Sequence, residues 1–248
     1  DRSGGGRSCA SAWPVGSVGG VLPMAAVEAA AQAGAVGDST AGGLPAGAAQ
    51  TGAGRGQTVA GNYSLELDTG KYTTKTLTVN GQAVAFRAYE DRVYVQHPAD
   101  AQYESMNIYI PEGYFSGQTI HGYTARTAPI FLPNGVGGYM PGEAVQPGDD
   151  PMHGGSNAAL VALSRGYVVA APAIRGRTLQ AADGSYTGKA PALIVDYKAA
   201  VRYLRYNKDR LPAGDTEKII SNGTSAGGAL SALLGATGNS PAYEPYLQ

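Results

Sequence analysis

One serine in this chain has neighbours that could make it a nucleophile. Gly223-Thr224-Ser225-Ala226-Gly227-Gly228 is a G-x-S-x-G motif with a further glycine behind it. Before it stands Lys218-Ile219-Ile220-Ser221-Asn222, which reads as a short buried strand. After it stands Ala229-Leu230-Ser231-Ala232-Leu233-Leu234, which reads as a helix. A serine on a sharp turn between strand and helix takes a strained backbone conformation, and glycines two before and two after keep side chains out of its path. Its hydroxyl then projects above the carboxyl edge of a sheet, and the free N–H groups of the helix start point at the reacting centre. Such a placement suits attack of the Ser225 Oγ on a carbonyl carbon. With 37 glycines in 248 residues the motif is not diagnostic alone; the flanking strand and helix carry the reading.

Attack on a carbonyl leaves charge on its oxygen, and that charge needs donors. The first expected donor is the N–H of Ala226, the residue after the nucleophile. The second should come from the loop behind an earlier strand. Pro133-Asn134-Gly135-Val136-Gly137-Gly138-Tyr139 follows the apolar run Pro129–Leu132, and its glycines let main-chain N–H groups turn inward. Each such donor is worth about 2.7–4 kcal/mol in the barrier. His97, His121 and His153 are the histidines available as a base, but each reads as a structural or surface residue. Arg175 and Arg177 are candidate substrate or loop anchors, with pairing to carboxylates as the equal alternative. Asp196 reads as a packing or helix-surface acid. No Cys/His cluster has metal-ligand spacing and no phosphate loop is present, so neither a metal nor a cofactor is expected.

These residues need a scaffold. From Tyr63 the chain reads as strands: Ser64–Leu67 and Thr76–Val79 alternate apolar and polar residues. Asn80-Gly81 signals a hairpin into Ala83–Tyr89, Arg92–Gln96 extends the β region, and Met106–Ile110 alternates up to Pro111. Strands then interleave with helices. Pro129–Leu132 and Tyr167–Ala171 are apolar without alternation, as strands covered on both faces are. Asn157–Arg165 reads as a helix stopped by Gly166. Leu193, Tyr197, Ala200, Val201 and Leu204 share one helical face, with Pro212 beyond it. This order implies an α/β fold: a mostly parallel sheet with antiparallel N-terminal strands and helices on both faces.

Composition bounds the rest. A formal net charge of -1 argues against a nucleic-acid or anionic-membrane partner drawn by bulk charge. No apolar run is long enough to span a membrane. Cys9 is the single cysteine, so no intrachain disulfide is possible. Sixteen tyrosines against one tryptophan suit half-buried strands and polar ligand sites. Residues 1–57 read as a low-complexity Gly/Ala-rich tail, with Met24–Ala33 as a marginal alanine-rich helix, and residues 58–248 as the folded part. The Gly/Ala/Ser bias and the start at Asp1 fit a processed, exported leader, so a secreted, cell-surface or periplasmic location is expected.

The motifs together are specific. Pro133–Tyr139, Arg175-Gly176-Arg177-Thr178, the Pro191–Tyr203 segment with Asp196, and Asn222–Gly228 resemble the bacterial tannases, and Tyr94-Val95-Gln96-His97-Pro98 and Gly238-Asn239-Ser240 fit the same pattern. The resemblance covers about residues 72–248. It implies an α/β-hydrolase fold and a serine esterase that cleaves galloyl esters and depsides through an acyl-enzyme. It puts the catalytic serine at Ser225 and the oxyanion hole at Gly138 and Ala226.

The sequence also departs from that family. The acid and the histidine of the family follow the nucleophile, as do the residues that grip the galloyl hydroxyls. After Ser225 this chain has no His and no Asp, and Glu244 is its only acid. The order Ser…Asp/Glu…His is not completed, so the triad acid and histidine are expected outside this chain, in an incomplete hydrolase domain. The end, Tyr243-Glu244-Pro245-Tyr246-Leu247-Gln248, is apolar and aromatic, and a sheet stopped behind the elbow would leave an open edge. The expectation is a second polypeptide that carries the C-terminal half. Two other readings stand beside it: a feruloyl or other phenolic-acid esterase on the same fold, and a non-catalytic hydrolase-like binding module.

Overall fold

The computed structural model describes residues 61–247; the tail at 1–57, with its Met24–Ala33 helix and Cys9, lies outside the described residues. Strand β1 (Thr73–Val79) and β2 (Gln82–Val93) form an antiparallel hairpin. Asn80 and Gly81 make its tip with φ of 48° and 79°, the left-handed pair that a tight two-residue hairpin requires. β3 (Ser105–Pro111) pairs antiparallel with β2 and is buried along its whole length. Then follow β4 (Pro129–Pro133), α1 (Ala158–Ser164), β5 (Val168–Pro172), α2 (Ala192–Tyr206), β6 (Asp215–Asn222) and α3 (Ala226–Thr237).

The six strands make one sheet in the order β1-β2-β3-β5-β4-β6. β4 pairs parallel with both β5 and β6, and β3 meets β5 antiparallel. The described sheet is therefore mixed: its antiparallel leading strands are as expected, and its parallel part is the block β5-β4-β6. Period-two alternation sends the two faces into different cores. Ile108, Ile130, Leu132, Val168 and Ala170 pack with α2 and α3 residues such as Leu193, Tyr197, Leu204 and Leu230. Tyr109, Phe131, Val169 and Ala171 pack with Ala159, Ala162 and Leu163 of α1. The helices thus cover both faces, as the crossover rule requires.

Three local readings change. Ser64–Leu67 is not a strand. Its hydrogen bonds run to a side chain instead: the Leu67 N–H donates to Asn207 Oδ1 and Asn207 Nδ2 donates to the Leu65 carbonyl, both at 2.8 Å. The β region after Tyr89 ends at Val93, not Gln96, after a register shift between Tyr89 and Arg92. The strand leading to Ser225 is not buried on both faces: Ile220 is 42% exposed. The reason is position, because β6 pairs with β4 on one side and with no further strand among the described residues.

Tyr197 ties this block together from below. Its Oη lies 2.7 Å from the Leu132 carbonyl, to which it donates, and 2.8 Å from Ser221 Oγ, so one phenol joins α2 to the carboxyl ends of β4 and β6. Tyr197→Phe removes the donor to the buried Leu132 carbonyl and the acceptor of the Ser221 hydroxyl, and is expected to cost about 1–3 kcal/mol in denaturant unfolding, with an unchanged m-value.

Candidate active site

Ser225 stands between β6 and α3 with φ 51° and ψ -122°. Few non-glycine residues occupy that region, and such strain persists only where the surroundings enforce it. Here the flanking glycines enforce it. A Cβ on Gly223 would stand 2.5 Å from the Gly227 carbonyl carbon and oxygen, and one on Gly227 would collide with Asn134 Oδ1. Strand and helix therefore cross main chain to main chain, and Ser225 is exposed at the crossing. The turn closes with Gly227 N–H on the Thr224 carbonyl at 2.9 Å and Ala229 N–H on the Ser225 carbonyl at 3.0 Å. Ala226 is buried in the first turn of α3. Its N–H belongs to the set a helix start leaves without an intrahelical partner.

The glycine-rich loop leaves β4 beside the elbow. Asn134, buried at 7% exposure, joins the two. Its main-chain N–H donates to the Asn222 carbonyl at 2.9 Å. Its side-chain amide lies 3.0 Å from that same carbonyl, 3.1 Å from the Gly227 carbonyl and 3.2 Å from Ser231 Oγ. The sequence places Asn134 in this loop without marking this role. The available signal was an amide directly behind a strand that neighbours the elbow strand. Further along, Gly138 is exposed with φ 57°.

Arg177 holds this loop, and Arg175 fixes the segment that carries Arg177. Arg175 forms a two-pronged pair with the buried Asp196 on α2: Nε to Oδ2 at 2.9 Å and Nη2 to Oδ1 at 2.6 Å. Its own N–H also donates to Asp196 Oδ2 at 3.0 Å. Asp196 is thus a packing acid, and Arg175 takes the alternative given for it, pairing with carboxylates. Arg177 donates from Nε to the Gly138 carbonyl at 3.1 Å and from its main-chain N–H to the Tyr139 carbonyl at 2.9 Å. His97, His121 and His153 are all exposed. His153 is engaged in a turn with Asp150, Nδ1 to Oδ2 at 3.1 Å. Ser225 has no hydrogen bond to any histidine among the described residues.

A second carboxylate sits beside Arg175. Glu104 Oε1 is 3.4 Å from Arg175 Nη2, and the Asp100 N–H donates to Glu104 Oε2 at 2.7 Å. Burial, then the charge of Asp196, push the Glu104 carboxyl up to about 7, against the pull of Arg175 and the main-chain donors. Burial likewise raises Asp196, opposed by Arg175. For an acid raised on folding, the native state binds more protons than the unfolded state between the two pKa values. Stability contributed by Glu104 is therefore present at low pH and is lost as pH rises from about 4.5 to about 7. Glu104→Gln is expected to flatten this decline in unfolding free energy, by about 3 kcal/mol at most, as measured by urea titration at a series of pH values.

Comparison with known proteins places this geometry. Residues 139–247 match the BD-FAE family of α/β-hydrolases. No curated protein matches the chain. Among solved structures, the Fusobacterium nucleatum tannase is 56% identical with a TM-score of 0.73, over 75% of this chain and 38% of its own. The Lactobacillus plantarum tannase is 48% identical with a TM-score of 0.68, over 74% of this chain and 39% of its own. A tannin acyl hydrolase solved with ethyl gallate is 48% identical with a TM-score of 0.66, over 74% of this chain and 40% of its own. The chain thus spans about two fifths of the length of the tannases it matches. The described part of this chain is thus similar to part of the bacterial tannases, and its mixed six-stranded sheet with helices is an α/β-hydrolase fold, present as a partial domain.

Proposed function

We propose that this chain carries the nucleophile half of a serine esterase that hydrolyses galloyl esters and depsides. The observation that carries the reading is the 47–56% identity to bacterial tannases over about three quarters of the chain. In this reading the Ser225 Oγ attacks the ester carbonyl carbon. A histidine outside the described residues takes its proton, and the carbonyl oxygen becomes an oxyanion. The N–H groups of Ala226 and Gly138 donate to that oxygen. Collapse of the adduct expels the alcohol, which receives the proton from the histidine, and leaves galloyl-Ser225. Water, deprotonated by the same histidine, then releases gallate.

The partial coverage of the tannases supports a source for the missing groups. We place the histidine and its acid on a segment that completes the sheet beyond β6, where Ile220 and Leu233 are 42% and 40% exposed. The sequence reading assigns that segment to a second polypeptide, which would bury a large apolar interface as obligate halves do. Denaturing mass analysis of the active enzyme is expected to show two species, and one longer chain would overturn that part. The Gly/Ala/Ser bias of residues 4–56 supports an exported setting for such an enzyme.

The match to BD-FAE supports a phenolic-acid esterase as the second reading. Methyl gallate and methyl ferulate separate the two, and turnover of the gallate is the expected result. Ser225→Ala is expected to lower ester turnover by several orders of magnitude, with unchanged unfolding. A fluorophosphonate should label Ser225 in the unsubstituted enzyme; most activity surviving in Ser225→Ala would sink the assignment.

A further inference from the structure

The glycine-rich loop holds a tyrosine in a conformation its side chain disfavours, and one arginine engages the carbonyls on both sides. Gly138 and Tyr139 have φ of 57° and 58°. The Met140 N–H donates to the Gly137 carbonyl at 2.9 Å, so residues 137–140 form a turn whose two central residues are both left-handed. Glycine enters that region freely, whereas tyrosine does so only where neighbours require it. The neighbour here is Arg177. Its main-chain N–H lies 2.9 Å from the Tyr139 carbonyl and its Nε 3.1 Å from the Gly138 carbonyl.

The segment that carries Arg177 is itself fixed. Gly142 and Ile174 exchange both main-chain hydrogen bonds, at 2.9 and 2.8 Å. Arg175 is locked on Asp196. A Cβ at Gly176 would collide with the main chain of Met140 and Pro141. Arg177 is thus a donor on a rigid strap, laid across the outside of the turn.

The direction of a carbonyl sets the direction of the N–H across the same peptide bond, because a trans peptide points the two to opposite sides. The Gly137 carbonyl is engaged within the turn by Met140, so the Gly138 N–H projects out of it. Rotation of the turn would move that N–H, and the clamp on the next two carbonyls opposes the rotation. We propose that Arg177 is a positioning residue for the oxyanion site: by holding the Gly138 and Tyr139 carbonyls it sets the aim of the Gly138 N–H. This rests on the ester-hydrolase reading above. The guanidinium touches neither the reacting atoms nor the substrate in this role.

Two substitutions in the complete enzyme test it. Arg177→Gln puts an amide nitrogen where Nε stood and removes the charge. Arg177→Met puts a methyl group there and removes the donor. With methyl gallate, Arg177→Met is expected to lower kcat by roughly 10- to 100-fold, short of the 10²–10³ lost with a whole oxyanion donor, with KM unchanged. Arg177→Gln should keep kcat within about threefold. An aryl boronic acid, which mimics the tetrahedral adduct at Ser225, should lose affinity for Arg177→Met in step with kcat. A purely structural role would lower the unfolding temperature and the active fraction without weakening boronate binding in what remains. Wild-type kcat in Arg177→Met, equal losses in Gln and Met, or a rise in KM alone would each overturn the proposal. Ser225→Ala keeps the two readings apart: if it stays active, the nucleophile assignment has failed. If it is inactive while Arg177→Met matches wild type, the clamp alone has failed.

Discussion

The site depends on two main-chain segments that touch with no side chain between them. Gly223 at the end of β6 and Gly227 in the first turn of α3 leave no room for a Cβ on either. That contact bends strand into helix within three residues, and Ser225 bears the resulting strain at φ 51°. The energy held there, of order 1–3 kcal/mol, must be supplied by the surrounding packing. In return the serine stands clear of the sheet, with the open end of α3 beside it.

Everything else in the site is registered to that crossing. Asn134 fills the gap that the two glycines leave and bonds the Asn222 and Gly227 carbonyls. Tyr197 bonds the strand ends from beneath. The loop with Gly138 can therefore not shift without also disturbing the elbow. Its outer limb is held separately, through Arg175 on Asp196 and Arg177 on the Gly138 and Tyr139 carbonyls. Ser225 and the glycine-rich loop thus share a frame built from hydrogen bonds to main chain, which few side-chain movements can disturb.

The buried charges have a different logic. Arg175 faces two carboxylates, Asp196 with full two-pronged geometry and Glu104 at 3.4 Å. One guanidinium cannot compensate two buried anions, so the more weakly held acid shifts toward its neutral form. The cluster links the residue before β3, the Arg175 strap and α2. It anchors the strap.

Local signals were enough to read several elements from sequence. Asn80-Gly81 specified a left-handed two-residue turn, the apolar runs at Pro129–Leu132 and Tyr167–Ala171 specified buried strands, and G-x-S-x-G between strand and helix specified the elbow. Each is a matter of backbone conformation or side-chain periodicity, which neighbours in sequence largely control. What tertiary structure alone decided involves partners far apart in the chain. Ser64–Leu67 alternates like a strand, yet it pairs with the Asn207 side chain some 140 residues away. Ile219-Ile220 reads as fully buried, yet β6 lies at the edge of the described sheet, because burial depends on which strand comes next and not on the residue itself. Asn134 and Arg177 lie in quoted motifs that do not show their partners, and Glu104 lies in none. A hydrogen bond or a shared charge has no sequence period, so their roles emerge only where the fold brings carbonyls, guanidinium and carboxylates within reach.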